Sequence, residues 1–356
     1  MKKKAVLLQD YEKVGLKKQI QPFEDGLRAT HEKGNYEWWY FDTKLQGGGN
    51  LVIVFFSKPM TSFKAKFEPY VLFDLTFPDG KGEIHKEYRA KEGDYSFSKE
   101  SCDIRIGECT IRGDLKNYTI YYKDEELEAN VELVGSVPSW RPYAGQIWFG
   151  EKDYFAWLPS VPEGKLTANI TYQGETKTYT GTGYHDHNWG NKLMFFLMHH
   201  WYWGRAKIGD YVVVSAYITA NKKYGYTETP VFMIAKNGEI IADDALNCLT
   251  YEETDYEFDP VTKKHVAKTI VYDYEEGEKR YKITYRKQEN IERVDMKTEI
   301  SKLQYAAIWL MGLRGSYHRM GGTVTLEYFE NGECKEQVEA PAIWEQMYFG
   351  KDKLRK

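Results

Sequence analysis

What most constrains this chain is the recurrence, along nearly its whole length, of short runs rich in β-branched and aromatic residues that end at turn dipeptides. Leu51-Val52-Ile53-Val54-Phe55-Phe56 is apolar throughout, which suits a strand covered on both faces. Residues 70–77 form another such run and end at Pro78-Asp79-Gly80, where proline presets φ and glycine accepts a positive φ, so a hairpin is expected. Residues 127–133 and 166–172 alternate apolar and polar side chains, the pattern of antiparallel strands with one buried and one wet face. Residues 211–217, 231–235, 239–241 and 323–329 repeat it, with Asn237-Gly238 and Asn331-Gly332 as hairpin turns. Only residues 302–313 suggest a helix, and the first thirty or so read as an arm or short helix packed on the body. Hairpin upon hairpin without interleaved helices predicts an all-β protein of antiparallel barrels or sandwiches, and the unequal strands lack the period of a propeller.

A length of 356 residues, at about 150 per domain, predicts two β domains, 1–190 and 191–356, each the size of a small barrel. Aromatics make up 16% of the chain, and such rings fit both pleated surfaces and the walls of apolar pockets. The balance of 49 basic against 53 acidic side chains excludes a nucleic-acid binder driven by phosphate neutralisation. No apolar run reaches the roughly 18–20 residues that span a bilayer, so a soluble, cytoplasmic protein without a transmembrane segment is expected. Cys102, Cys109, Cys248 and Cys334 form no CxxC pair and read as ordinary reduced thiols.

Three clusters could carry chemistry. In Glu37-Trp38-Trp39-Tyr40-Phe41-Asp42, a strand would put Trp38, Tyr40 and Asp42 on one face and Glu37, Trp39 and Phe41 on the other. Aromatic core filler accounts for the run equally, yet a carboxylate in an aromatic wall has its pKa raised and can donate a proton. In Tyr184-His185-Asp186-His187-Asn188-Trp189-Gly190, consecutive titratable groups must be hydrogen-bonded or paired if buried, and on a strand the two histidines share one face while Asp186 takes the other. The His-x-His spacing also admits a metal-dependent barrel enzyme, but Trp189, Gly190, Asn191 and Lys192 stand where such sites carry further ligands, so no metal and no cofactor is expected. In the third cluster, His199, Trp201, Trp203 and Arg205 alternate onto one face that would line a pocket or an interface. Walker A, GxSxG, HExxH and GxGxxG signatures are missing, which argues against phosphoryl transfer, serine hydrolysis and dinucleotide redox.

These stretches, with Trp203-Gly204-Arg205-Ala206, resemble a family: the lipocalin-like twin-barrel proteins that include carotenoid 1,2-hydratases (hydroxyneurosporene synthases), AttH-like proteins and fungal decalin-forming Diels-Alderases. The resemblance covers most of the chain and implies two lipocalin-like barrels with a pocket at or near their junction for a hydrophobic terpenoid or polyene. It implies hydration of a double bond by a proton donor, with aromatic faces stabilising the carbocation. His187 and Trp189 match positions the hydratases need, and Tyr217 matches a tyrosine, but Thr219 stands where the resemblance implies an acid. Diels-Alderase-like members imply the alternative of shaping a substrate without one.

The expectation is therefore an enzyme acting on an isoprenoid or polyketide-like substrate by acid-assisted hydration or cyclisation. Asp186 is the expected donor, His185 and His187 its orienting or relay partners, and Tyr217 a further catalytic group. Glu37, Trp38, Tyr40, Asp42, Trp189, Trp203 and Arg205 are expected to line the substrate. The rival from another class is a non-catalytic lipocalin-like carrier of an apolar ligand.

Overall fold

A computed structural model describes residues 3–59, 62, 64–78, 80, 82–297, 313–352 and 354. The regular structure among them is almost entirely β. The helix expected over 302–313 lies, all but its last residue, outside the described residues. The chain divides into two compact units, one spanning Leu7–Met194 and the other comprising Phe195 onward with the residues before Leu7.

In the first unit an antiparallel sheet runs through the strands Glu83–Arg89, Tyr70–Thr76, Asn50–Phe56, Tyr36–Leu45, Glu175–Gly190, Asp153–Tyr172, Leu127–Gly135, Asn117–Lys123, Cys109–Gly113, Cys102–Ile106 and Tyr95–Phe97. The two longest, Asp153–Tyr172 and Glu175–Gly190, are joined by Gln173 and Gly174, both at positive φ (50° and 83°), as a tight hairpin requires. Asn237-Gly238 and Asn331-Gly332 make the same kind of turn. Tyr70–Thr76 and Glu83–Arg89 form the hairpin expected around Pro78, although Asp79 itself is outside the described residues. Pro159 and Pro162 lack the N–H a ladder needs, and register shifts fall at Leu158/Val161 and Val161/Gly164 beside them.

The sheet curls onto itself. Phe73 meets Tyr122 from the other half at 4.8 Å between ring centroids, and Trp39 meets Phe97 at 5.9 Å. Ile53, Ile104, Ile111, Ile120, Ala129 and Leu133 fill the interior between them. The expected N-terminal arm contains two short 3-10 turns, Glu12–Val14 and Pro22–Asp25. The second is a capping box, with the Gln21 amide donating to Glu24 Oε1 at 2.9 Å, and it delivers Glu24 and Asp25 into the barrel interior.

The second unit is a sheet of Glu239–Ala242, Glu228–Lys236, Tyr211–Ala220, Met198–Ile208, Glu333–Tyr348, Ser316–Glu330, Lys279–Asp295, Lys264–Glu276 and Leu249–Asp259. It too curls: Tyr217 near one edge stacks on Tyr251 of the far edge strand at 3.6 Å.

The register between Tyr36–Leu45 and Glu175–Gly190 positions the candidate site. Glu37 opposes Trp189, Trp39 opposes His187 and Phe41 opposes His185. Between them Trp38 opposes Asn188, Tyr40 opposes Asp186 and Asp42 opposes Tyr184. Directly opposed residues share a face, so the first set points into the barrel and the second points outward. Because Phe73 is fully buried and braces both halves of the sheet, Phe73→Ala is expected to cost about 3–5 kcal/mol of unfolding free energy in urea denaturation.

Candidate active site

Inside the first barrel, His185 and His187 are fully buried and each meets its own carboxylate. His185 Nδ1 faces the Tyr40 carbonyl at 2.8 Å and its Nε2 faces Asp25 Oδ2 at 3.3 Å. A ring nitrogen facing a carbonyl carries a proton, so Nδ1 donates to Tyr40, and the protonated ring can also donate from Nε2 to Asp25. Burial opposes the charged form, but the Asp25 carboxylate and the Tyr40 carbonyl outweigh it and raise the His185 pKa. Burial likewise opposes ionised Asp25, but His185, His187 and the Tyr118 hydroxyl outweigh it and hold its pKa below the usual value. His187 has the same arrangement, with Nδ1 at 3.1 Å from the Glu24 carbonyl and Nε2 at 2.8 Å from Glu37 Oε1. Trp39 and Trp189 flank its ring at 4.8 and 4.6 Å. Glu37 also accepts the Arg28 and Ala29 amides at 2.6 and 3.1 Å, and Glu24 pairs with buried Arg141 at 2.7 Å.

The outward face is built differently. Asp186 accepts from Trp157 Nε1 and the Tyr184 hydroxyl, both at 2.7 Å, and from Asn188 Nδ2 at 2.6 Å. Burial pushes its carboxyl up to about 6, and these donors and the charge of His185 hold it from rising further. Tyr40 opposes it, and the same face carries Trp38, Val54, Phe56, Tyr70 and Leu72, which form with Tyr40 one apolar cluster across three strands. Trp38 also meets Phe155 at 6.5 Å, and Tyr40 meets Tyr184 edge-on at 6.4 Å.

The strand thus sorts the expected residues. Asp186, Trp38, Tyr40 and Asp42 share the outward face, whereas His185, His187, Glu37 and Trp189 share the interior. The ring nitrogens of both histidines are engaged by Asp25, Glu37 and main-chain carbonyls, and alternation along the strand turns both away from Asp186. Glu37 and Trp189 lie with His187 on the interior face. Trp157, Tyr184 and Asn188, which hold Asp186, were missed in the sequence, as were Asp25 and Glu24, which face the histidines. Tyr217, Trp203 and Arg205 belong to the second unit. There Tyr217 points inward with Tyr202 and donates to Glu228 at 2.9 Å, while Trp203 and Arg205 occupy the opposite face of their strand.

A model of the Diels-Alderase-like family matches residues 108–350, more than half of the chain. The chain belongs to the Diels-Alderase-like family. Its relatives include the hydroxyneurosporene dehydrogenase of Chlorobaculum tepidum, 26% identical over 205 residues that cover 49% of this chain and 54% of that protein. The chain therefore spans about half the length of that curated relative. Among solved structures, CghA in complex with Sch210972 superposes with a TM-score of 0.61 at 12% identity, covering 98% of this chain and 99% of that one. An AttH protein of Nitrosomonas europaea gives 0.60 at 15% identity, covering 94% and 98%. These likenesses establish the fold of this Diels-Alderase-like chain as two lipocalin-like antiparallel β domains in tandem. No described helix is long and apolar enough to cross a membrane.

In this Diels-Alderase-like chain the interior ion pairs make stability depend on pH. The raised His185 pKa contributes stability below the ordinary histidine value of about 6.5, which is lost as pH rises through the raised value. The lowered Asp25 pKa contributes stability above about 3.9, which is lost as pH falls through the lowered value. Calorimetry is expected to show His185→Gln costing about 3–5 kcal/mol near pH 6, because Asp25 is left buried and unpaired, and flattening the alkaline loss of stability.

Proposed function

We propose that the chain is an enzyme acting on a hydrophobic isoprenoid or polyketide-like substrate, by acid-assisted hydration or cyclisation of a carbon–carbon double bond. Asp186 is the proton donor. The observation that carries this is a carboxyl held at about 6 within a face of Trp38, Tyr40, Phe56, Tyr70 and Trp157. At neutral pH a useful fraction of such a group keeps its proton, whereas an exposed aspartic acid has almost none left to give. Transfer of that proton to an alkene carbon leaves the Asp186 carboxylate and a carbocation. The carboxylate is met by the three donors already in place, and electron-rich rings suit the cation. Water completes a hydration by adding to the cation and losing a proton, while attack by another double bond of the same substrate completes a cyclisation.

The family membership supports an enzyme, and the name of the Chlorobaculum relative supports an apolar polyene as the substrate class. His185 and His187 take a supporting role: their ion pairs fix the strand that presents Asp186. The lining role of Trp203 and Arg205 rests on strand alternation and the family resemblance, and the catalytic role of Tyr217 on the resemblance.

Native mass spectrometry of protein from a lipid-rich host, followed by organic extraction, is expected to recover a polyene, terpenoid or polyketide for use as the assay substrate. On it, Asp186→Asn is expected to lower kcat by about 10²–10⁴-fold while changing KM little. The wild-type rate is expected to fall as pH rises through about 6, because the protonated carboxyl is the active form. A variant with full turnover, or a ligand that is bound and released unchanged by the wild type, would favour a carrier instead.

A further inference from the structure

The interior of the first unit holds a second constellation that proton donation from Asp186 does not use. We propose that Asp25, Cys102 and His185 form a binding site for one divalent d-block cation, zinc by preference. The three side chains are buried, and their ligand atoms lie within 4.8 Å of one another. They offer one carboxylate, one thiol and one imidazole, the mixed oxygen, sulfur and nitrogen set that a borderline-soft ion accepts.

One pair of the three already has the spacing of a filled site. Ligands about 2.0–2.1 Å from zinc at a tetrahedral angle are about 3.3 Å apart, and His185 Nε2 is 3.3 Å from Asp25 Oδ2. The orienting contacts are also in place. His185 donates its other ring N–H to the Tyr40 carbonyl at 2.8 Å, the usual outer partner of a metal-bound imidazole, and this aims Nε2 at the cluster. Tyr118 donates to Asp25 Oδ2 and fixes that carboxylate. Asp25 Oδ1 is buried, and His187 Nδ1, 3.6 Å from it, is engaged with the Glu24 carbonyl.

The three ligands come from separate parts of the chain: the turn Pro22–Asp25, the strand Cys102–Ile106 and the strand Glu175–Gly190. One ion would cross-link all three. Proton balance follows from the metal-free state. Binding of M²⁺ forms bonds to the Cys102 thiolate, His185 Nε2 and the Asp25 carboxylate, and the proton of the Cys102 thiol, with any proton on Nε2, leaves to solvent. Affinity therefore rises with pH.

The test uses the full chain without a histidine tag. Elemental analysis after purification, and titration of chelator-treated protein with Co²⁺ alone, are expected to show about one ion per chain and a thiolate-to-cobalt charge-transfer band in the near ultraviolet. Cys102→Ser and Cys102→Ala are expected to abolish the band, and His185→Gln to weaken binding by more than tenfold. Circular dichroism checks that each variant is folded, and the alanine keeps a small apolar side chain in the core if serine proves disruptive. Asp186→Asn is expected to bind Co²⁺ as the wild type does, so failure of acid catalysis and failure of the metal site are separable. A folded wild type that gives no cobalt band, or metal retained equally by the Cys102 and His185 variants, overturns the proposal.

Discussion

The pairing of Tyr36–Leu45 with Glu175–Gly190 fixes almost everything else about the first unit. Because side chains alternate along a strand, this one register sends Glu37, Trp39, His185 and His187 inward and Trp38, Tyr40, Asp186 and Asn188 outward. A slip of one residue would exchange the two sets, placing an apolar cluster's acid in the barrel and two histidines on the aromatic face. The slip is opposed from inside: Asp25 and Glu37 each make a directional contact to a particular ring nitrogen, which an apolar core would not. Buried ion pairs contribute little net stability against well-packed hydrophobic residues, so their use here is better understood as specification of register.

The same strand therefore carries two environments separated by the thickness of one backbone. Behind it, each imidazole faces a carboxylate, His185 with Asp25 and His187 with Glu37. In front of it, Asp186 has three hydrogen-bond donors, yet the desolvation of burial outweighs them and raises its carboxyl to about 6. Two aspartates on opposite sides of one strand thus have pKa values displaced in opposite directions, Asp25 down and Asp186 up. Environments that push like groups apart in this way let one take a charge-holding role and the other a proton-transfer role.

Much of this was legible in the sequence because it is local. The hairpins at Gln173-Gly174, Asn237-Gly238 and Asn331-Gly332 follow from residues that tolerate positive φ, and the two-face division of Glu37 to Asp42 follows from alternation. The partners of the histidines were not legible. Asp25 lies 160 residues from His185 and 93 from Tyr118, in a stretch whose short 3-10 turn gives no periodic signal and reads as a loose arm. Cys102 looks like any buried thiol until the fold brings it beside Asp25 and His185. His185 and His187 are next to Asp186 in sequence, yet alternation places them on the opposite face of the strand.

The turn at Pro22–Asp25 is made early in the chain, but its countercharges arrive late. During synthesis Glu24 and Asp25 emerge long before Arg141, His185 and His187, and until then their carboxylates remain in water, where they are well solvated. Arg141 can meet Glu24 earlier, but the histidines that face Asp25 come only with the strand ending at Gly190. The buried partners of that N-terminal turn are therefore complete only when the last strand of the first unit has been made.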